Sequence, residues 1–398
     1  LLDFQHPARR LLQHYKRRGA PVKFSSAPWS KSRVQQAVDR GAHRSCQEYL
    51  SFLQEEFIDM IRKDQWVILP YSMVQNLPGL RLSPPGCVPQ RDRRPRWICD
   101  YSFYDVNQET LPIAAIESMQ FGHALDRILR HILISNPDHG PVYLMKVDLA
   151  DGFYRIGLSP DDVPKLGVVF PTLPGEDPLI ALPLVLPMGW KNSPPIFSTA
   201  TETIADLANH AVRERHHVPT PHPLSTLAAA QDVNPSQVPS LTSNYPSRDP
   251  SLPVLRRHHS SIDVFVDDFI GIAQGYSHRH YVRNVLMKCI DLVFRPLSPS
   301  DKQSRREPIS IKKLLKGDCS WATQKIILGW LINTVTGTIH LPAHRVERLA
   351  ELLASIPPTQ KRTSIKKWHR VLGELRSMSL ALPGSRHLFS HMQHALLN

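Results

Sequence analysis

The chain has 398 residues, and at about 100–200 residues per domain that length allows two or three units with cores of their own. Apolar side chains make up 41% and charged ones 21%, which excludes wholesale disorder; no run of about 18 uncharged apolar residues exists, which excludes a membrane-spanning helix. Lys and Arg total 48 against 35 Asp and Glu, and a net charge of +13 favours a polyanionic partner, nucleic acid first and an anionic membrane surface second.

Cys46, Cys87, Cys99, Cys289 and Cys319 include no Cys-x-x-Cys pair, so neither a disulfide framework nor a zinc site is expected. Free thiols fit a reducing, intracellular compartment, cytoplasm or nucleus. The opening Leu1-Leu2-Asp3-Phe4 has no initiator Met and no charged leader before an apolar core, so no signal peptide is expected and the chain reads as a piece of a longer polyprotein.

Residues 1–45 carry Arg9, Arg10, Lys16, Arg17, Arg18 and Lys23 among Pro, Ser and Gly, and read as a basic, loosely ordered arm, either a nucleic-acid tether or a solvated linker. Residues 46–63 repeat Tyr49, Leu50, Leu53, Phe57, Met60 and Ile61 at helical intervals. Over 65–100 the prolines exclude long helices, and Trp66-Val67-Ile68-Leu69 and Trp97-Ile98-Cys99 read as strands. An amphipathic helix is expected over 122–135, then a buried strand over 142–148 that ends in Asp148. Residues 179–187 are a further apolar run, and Pro194-Pro195 opens a helix to 213. Residues 214–259 are rich in Pro, Ser, Asn, His and Gln and read as a disordered insertion; His217, His222, His258 and His259 fit no metal-ligand spacing. A strand–turn–strand is expected over 262–273 and a helix over 276–294. Residues 325–333 read as one strand, turned at Thr336-Gly337 into 338–341. Two helices with apolar stripes follow, over 344–356 and 364–382.

Asp267 and Asp268 interrupt the apolar run Val264-Phe265-Val266-Asp267-Asp268-Phe269-Ile270. Burying two unpaired carboxylates is costly, so the pair reads either as a divalent-cation site or as an ordinary surface turn. Asp148 ends a second apolar strand, and Asp148, Asp267 and Asp268 together could supply the acidic oxygens of a two-ion site. Magnesium takes few carboxylates and completes its shell with substrate phosphates, which points to phosphoryl or nucleotidyl transfer.

Five segments, in order, resemble the motifs of retroelement reverse transcriptases. Asp148-Leu149-Ala150-Asp151-Gly152-Phe153-Tyr154-Arg155-Ile156 resembles the first palm motif, and Leu186-Pro187-Met188-Gly189-Trp190-Lys191-Asn192-Ser193-Pro194-Pro195 the second. Phe265-Val266-Asp267-Asp268 is similar to the Tyr-x-Asp-Asp motif, Arg96-Trp97-Ile98-Cys99-Asp100-Tyr101-Ser102 to the fingers motif, and Leu328-Gly329-Trp330 to the hairpin before the thumb. Residues 368–375 and 382–386 resemble the thumb of tyrosine-recombinase retrotransposons. The match covers about residues 66–398 without the 214–259 stretch.

The resemblance implies an α+β, right-hand polymerase fold with an antiparallel palm sheet backed by helices. It divides the chain into the arm at 1–45, part of the fingers at 46–125, palm with an inserted fingers segment at 126–213, the insertion at 214–259, palm with the catalytic and primer-grip-like hairpins at 260–341, and thumb-like helices at 342–398. It implies an RNA-directed DNA polymerase that works on an RNA template, a DNA primer and deoxynucleoside triphosphates, with two Mg²⁺ (or Mn²⁺) ions and no membrane partner. Asp148, Asp267 and Asp268 become the catalytic and metal-binding carboxylates, with the Leu149 carbonyl as an added ligand. Arg96, Asp151, Gly152, Phe153, Met188 and Gly189 line the nucleotide: Arg96 on the triphosphate, Asp151-Gly152 through backbone N–H groups, Phe153 as a bulky gate against a ribose 2′-hydroxyl, Gly189 for close approach. Arg91, Arg93 or Arg94 would add a second cation, Lys191 and Ser193 would face the template, one of Lys312, Lys313 and Lys316 would protonate pyrophosphate, and Arg345, Arg348, Lys366, Lys367 and Arg370 would track the duplex. Met188 for glutamine, Asn192 for glycine and Phe265 for tyrosine depart from the common pattern. The rival from another class is a catalytically inactive, nucleic-acid-binding relic of a transposable element. An RNA-templated RNA polymerase is a third reading, against which Phe153 argues.

Overall fold

The computed structural model describes residues 6–90, 93–113, 119–173, 175–218, 220–238, 257–295, 306–357, 359–360, 362–379, 381 and 384–396. Its helices are α1 (Arg9–Arg18), α2 (Lys31–Arg40), α3 (Ser45–Glu48), α4 (Leu50–Arg62), α5 (Tyr71–Val74), α6 (Val106–Glu109), α7 (Ala124–Ile134), α8 (Ser193–Arg213), α9 (Pro223–Ala229), α10 (Tyr276–Phe294), α11 (Ile311–Leu315), α12 (Ala343–Ala354), α13 (Ile365–Met378) and α14 (Ser390–His394). Its strands are β1 (Trp66–Pro70), β2 (Leu82–Ser83), β3 (Pro85–Gln90), β4 (Arg93–Cys99), β5 (Val142–Asp148), β6 (Gly167–Phe170), β7 (Leu179–Pro183), β8 (Ser260–Phe265), β9 (Asp268–Gln274), β10 (Gln324–Ile327), β11 (Trp330–Asn333) and β12 (Thr338–His340). These fold as two compact units: Leu1–Gln120, Asp148–His216 and Leu286–Ile311 in the first, Phe121–Val147, His217–Val285 and Lys312–Asn398 in the second. No helix among the described residues is long and apolar enough to cross a membrane.

In the first unit, aromatic and β-branched runs pair as a four-stranded sheet in the order β1-β7-β6-β2. β1 and β7 are antiparallel, from Trp66↔Pro183 to Pro70↔Leu179. β3 and β4 form a separate antiparallel pair with a register shift between Val88 and Gln90. Phe57 of α4 sets its ring 5.5 Å from Trp66, 4.8 Å from Trp97 and 5.0 Å from Phe170. Edge-on aromatic packing of this kind fixes both the depth and the angle of a helix against its sheet.

The expectation of a loosely ordered arm over 1–45 is corrected. α1 buries Tyr15, and α2 buries Val34, Ala37 and Val38 against Leu80, Leu82, Val169, Ile180 and Leu182. The Ser30 side chain caps α2 by accepting the Arg33 N–H at 3.2 Å. Of the basic residues that suggested a tether, Arg9, Arg10, Arg17 and Arg18 are exposed and Lys16 half-buried on α1, and Lys23 is exposed in the segment before α2.

In the second unit, the sheet order is β5-β9-β8. α7 lays Leu125, Ile128 and Ile132 on Val142 and Leu144 of β5 and Ile270 and Ile272 of β9, in a core shared with Ile327, Trp330 and Ile332. The Arg127 guanidinium forks onto the buried Asp263 carboxylate with two bonds of 2.7 Å, tying α7 to β8.

Two further expectations are corrected here. Residues 325–333 form two strands rather than one: Ile327 pairs with Trp330, so Leu328 and Gly329 reverse the chain with φ of 50° and 81°. Positive φ at both corners is the signature of a tight hairpin turn. Within the stretch read as disordered, α9 forms with Pro223 in its first turn and the His222 side chain accepting the Leu224 N–H. Asp232 then pairs with the fully buried Arg283 at 2.6 Å and accepts the Trp321 N–H at 2.8 Å. Polar anchors hold what few apolar residues could not. Residues 239–256 of the stretch lie outside the described residues.

His259 at the foot of β8 meets His131 of α7, ring nitrogens 3.0 Å apart and rings stacked at 5.1 Å. Burial, with His131 and His278 nearby, pulls the His259 imidazole from 6.5 down to about 4, and burial also lowers His131. Below pH 6.5 the unfolded chain takes up protons that the folded pair refuses, so this contribution to stability is whole above that pH and is lost as pH falls toward about 4. Urea midpoints at pH 7 and pH 5 are expected to drop for the wild type and to drop less for His259→Gln; equal slopes would remove the pair from the account.

Candidate active site

The β8–β9 pairing runs without a break from Ser260↔Ala273 to Phe265↔Asp268, so Val266 and Asp267 alone turn the chain. Val266 sits at φ 58°. A β-branched residue there carries strain of about 1–3 kcal/mol. Asp268 starts β9 half-buried, and its Oδ1 is buried and accepts no hydrogen bond. Two ammonium groups stand nearby instead, Lys146 Nζ at 3.7 Å and Lys313 Nζ at 3.9 Å. Lys146 also lies 3.5 Å from Asp318. Sequence reasoning passed over Lys146, although its position two residues before Asp148 on a strand puts both on one face.

Asp148 is the last residue of β5, the sheet neighbour of β9, and is 1% exposed. Its carbonyl accepts the Ser310 N–H at 2.9 Å, and the Ala150 N–H donates to Pro308 at 2.8 Å. That bridge leaves the Leu149 carbonyl out of the pairing. Among the described residues no three His, Cys, Asp or Glu side chains gather as a ready-made metal cluster. Asp268, with its buried Oδ1 and two ammonium groups within 3.9 Å, is a carboxylate that could serve as one of the one or two that magnesium takes beside substrate phosphates.

The first unit holds the other expected site residues. Arg96 of β4 directs Nη2 at the Met188 sulfur, 3.6 Å away, a weak acceptor. Gly189 sits at φ 95°, and a Cβ there would lie 2.6 Å from the Cys99 carbonyl oxygen. The loop around it is tied down on both sides: Asn107 donates to the Gly189 carbonyl at 2.9 Å and accepts the Lys191 N–H at 2.8 Å, Trp190 donates to Thr110, and Asn192 donates to the Leu111 carbonyl at 2.9 Å. Asn192 thus has a bracing role that a glycine could not fill. Asp151 and Gly152 both adopt positive φ, 65° and 47°, and Asp151 lies 3.5 Å from Lys63 Nζ. The Phe153 ring stands edge-on to Phe197 of α8 at 5.2 Å.

Several expected nucleic-acid contacts are otherwise engaged. Ser193 is fully buried and donates to the Pro187 carbonyl at 2.7 Å. Arg94 pairs with Glu55 at 2.9 Å, while Arg91 and the Arg93 side chain lie outside the described residues. Arg345 and Arg348 share Glu374 at 3.3 and 2.9 Å, whereas Lys366 and Arg370 are exposed.

No protein-family model matches the chain, and no curated protein matches it by sequence. Among solved structures it is similar to a foamy viral protease–reverse transcriptase (dRH) in complex with double-stranded DNA, at TM-score 0.50 and 16% identity, over 97% of this chain and 51% of that one. A second foamy viral protease–reverse transcriptase with double-stranded DNA matches at TM-score 0.45 and 15% identity, over 97% of this chain and 60% of that one. The chain therefore has a reverse-transcriptase-like fold, mixed α and β with several small sheets, and spans about half the length of the first of these proteins.

Gly189→Ala is expected to cost about 1–3 kcal/mol, since it adds both a forbidden φ and a backbone clash. Denaturant unfolding of the variant measures it; an unchanged midpoint would mean the loop yields without penalty.

Proposed function

We propose that the chain is the RNA-directed DNA polymerase of a retrotransposon, extending a DNA primer on an RNA template from deoxynucleoside triphosphates, through fingers, palm and thumb. The observation that carries this reading is the Asp267-Asp268 turn, closing a hairpin whose second strand neighbours the strand ending in Asp148, in a reverse-transcriptase-like fold. The tyrosine-recombinase type of the element is supported by the resemblance of residues 368–375 and 382–386 alone.

Asp148, Asp267 and Asp268, with the Leu149 carbonyl, would hold two Mg²⁺ or Mn²⁺ ions. Such ions acidify an attacking 3′-hydroxyl and offset the charge of a triphosphate and its leaving pyrophosphate. Lys146 and Lys313 would offset the Asp268 charge until then, and one of Lys312, Lys313 and Lys316 would donate a proton to the departing pyrophosphate. Arg96 gives up its thioether contact at little cost and takes phosphate oxygens in both arms of its fork. Gly152 and the braced Gly189 let substrate approach main chain, Met188 lines that approach, and the backbone of Asp151 offers N–H groups to phosphate. Phe153, stiffened by Phe197, closes the space a ribose 2′-hydroxyl would need. Lys366 and Arg370 add positive charge for a duplex backbone, which makes binding weaken steeply with salt.

A second reading, a silent nucleic-acid binder, draws on the same lysines, which stand 3.7 and 3.9 Å from the Asp268 carboxylate and offset its charge. Primer extension on an RNA template separates the two. Asp148→Asn and Asp267→Asn are each expected to lower incorporation by at least about a hundredfold. Wild-type-like synthesis by either variant would remove the carboxylate assignment, and duplex binding with no incorporation under Mg²⁺ or Mn²⁺ by the wild type would favour the silent reading. Phe153→Val is expected to admit ribonucleotides; an unchanged preference in competition assays would take the gate away from that ring.

A further inference from the structure

The first unit contains a cavity of about 800 Å³ where the last turns of α1 meet residues 155–161 and the end of α10. Its size lies within the roughly 300–1,000 Å³ usual for small-ligand sites. Lys16, Arg17, Arg18 and Arg155 line it, against a single carboxylate, Asp161. α1 itself reads RRLLQHYKRR and has no acidic residue.

The basic wall is built in. Gly19 ends α1 at φ 78° with its backbone so close to Leu158 that a Cβ would lie 2.2 Å from the Leu158 carbonyl carbon. The Ala20 N–H donates to Gly157 at 2.8 Å and the Ser159 N–H to Ala20 at 2.9 Å, so Arg17 and Arg18 are fixed beside the cavity rather than trailing from it.

Arg155 supplies the second observation. It is 8% exposed, yet it forms no ion pair among the described residues. Nη1 donates to the Ala150 carbonyl at 3.4 Å, Nη2 to the Arg306 carbonyl at 2.9 Å, and Nε has no hydrogen-bond partner. Two carbonyl acceptors are poor compensation for a guanidinium with five N–H groups taken out of water. Burial accordingly pulls its pKa down to about 10, against the opposing pull of Asp151. An anion in the cavity would supply what the protein leaves out.

We propose that this cavity binds a small polyphosphate, inorganic pyrophosphate or the triphosphate tail of a nucleotide, with Arg17 and Arg18 at its mouth and Arg155 at its inner wall. A pocket of this volume accommodates a triphosphate. None of the cavity-lining residues is one of the carboxylates assigned above, and the proposed site needs no divalent ion.

The test is titration calorimetry of the full chain with pyrophosphate, and separately with ATP, in excess EDTA, where Asp148, Asp267 and Asp268 hold no metal and recruit no polyphosphate. Saturable one-site binding is expected, weakened about tenfold or more by the surface pair Arg17→Glu/Arg18→Glu and by Arg155→Met, and untouched by Asp267→Asn. Pyrophosphate should also raise the melting temperature of the wild type and not that of the charge-reversed pair. The proposal is overturned by absence of saturable heat, by equal affinity in Arg17→Glu/Arg18→Glu, or by loss of binding in Asp267→Asn. Displacement of pyrophosphate by a single-stranded oligonucleotide at equal phosphate concentration would also overturn it, in favour of a strand-binding groove. None of these outcomes depends on whether primer extension succeeds.

Discussion

Six consecutive residue pairs between β8 and β9 leave two residues to reverse the chain, and the second unit is arranged around that economy. The tight register keeps Ile262, Val264, Ile270 and Ile272 buried, and the α7 face closes over Ile270 and Ile272. It also obliges Val266 to take a backbone conformation that suits glycine. Both faces of these strands are buried, so a slip of one residue would set every side chain into space packed for another, which outweighs strain at one corner. The acidic pair is thereby held at the end of a rigid element instead of on a pliable loop.

Charge balance follows from that placement. Asp268 enters the sheet with one oxygen out of reach of water, and the neighbouring strand offers Lys146 while α11 offers Lys313. Both cations stand beyond hydrogen-bond distance, an arrangement that steadies a carboxylate without committing it. The first unit uses the same economy differently: Asn107 braces the Gly189 loop from both sides, and Arg96 directs Nη2 at the Met188 sulfur.

Much of this was legible in the sequence because period and punctuation were clean. The helical repeat of Leu125, Ile128 and Ile132 and the apolar strand closed by Asp148 each correspond to one element, and the two-sided run around Asp267 and Asp268 to a pair of strands. The errors came where composition spoke louder than period. Six basic residues masked the short apolar stripe of Val34, Ala37 and Val38, and the prolines of 214–259 hid a helix that begins on one of them. Apolar pattern alone ran 325–333 together as one strand because leucine seldom takes positive φ, whereas the resemblance of Leu328-Gly329-Trp330 already pointed to a hairpin there. Ion pairs such as Asp232 with Arg283 join residues far apart in the chain and leave no local trace. The Lys146–Asp268 neighbourhood was half visible through strand alternation, but its partner across the sheet was not.

All five cysteines are buried. Burial pushes the Cys289 thiol up to about 12 and drives Cys46, Cys87 and Cys99 in the same direction, so these four offer no reactive thiolate at neutral pH. The native protein is therefore nearly blank to maleimide chemistry. A cysteine introduced at exposed Ser72 or Glu347 would become the one fast-labelling position, and a fluorophore or spin probe there would report on its own unit without any need to strip the natural thiols first.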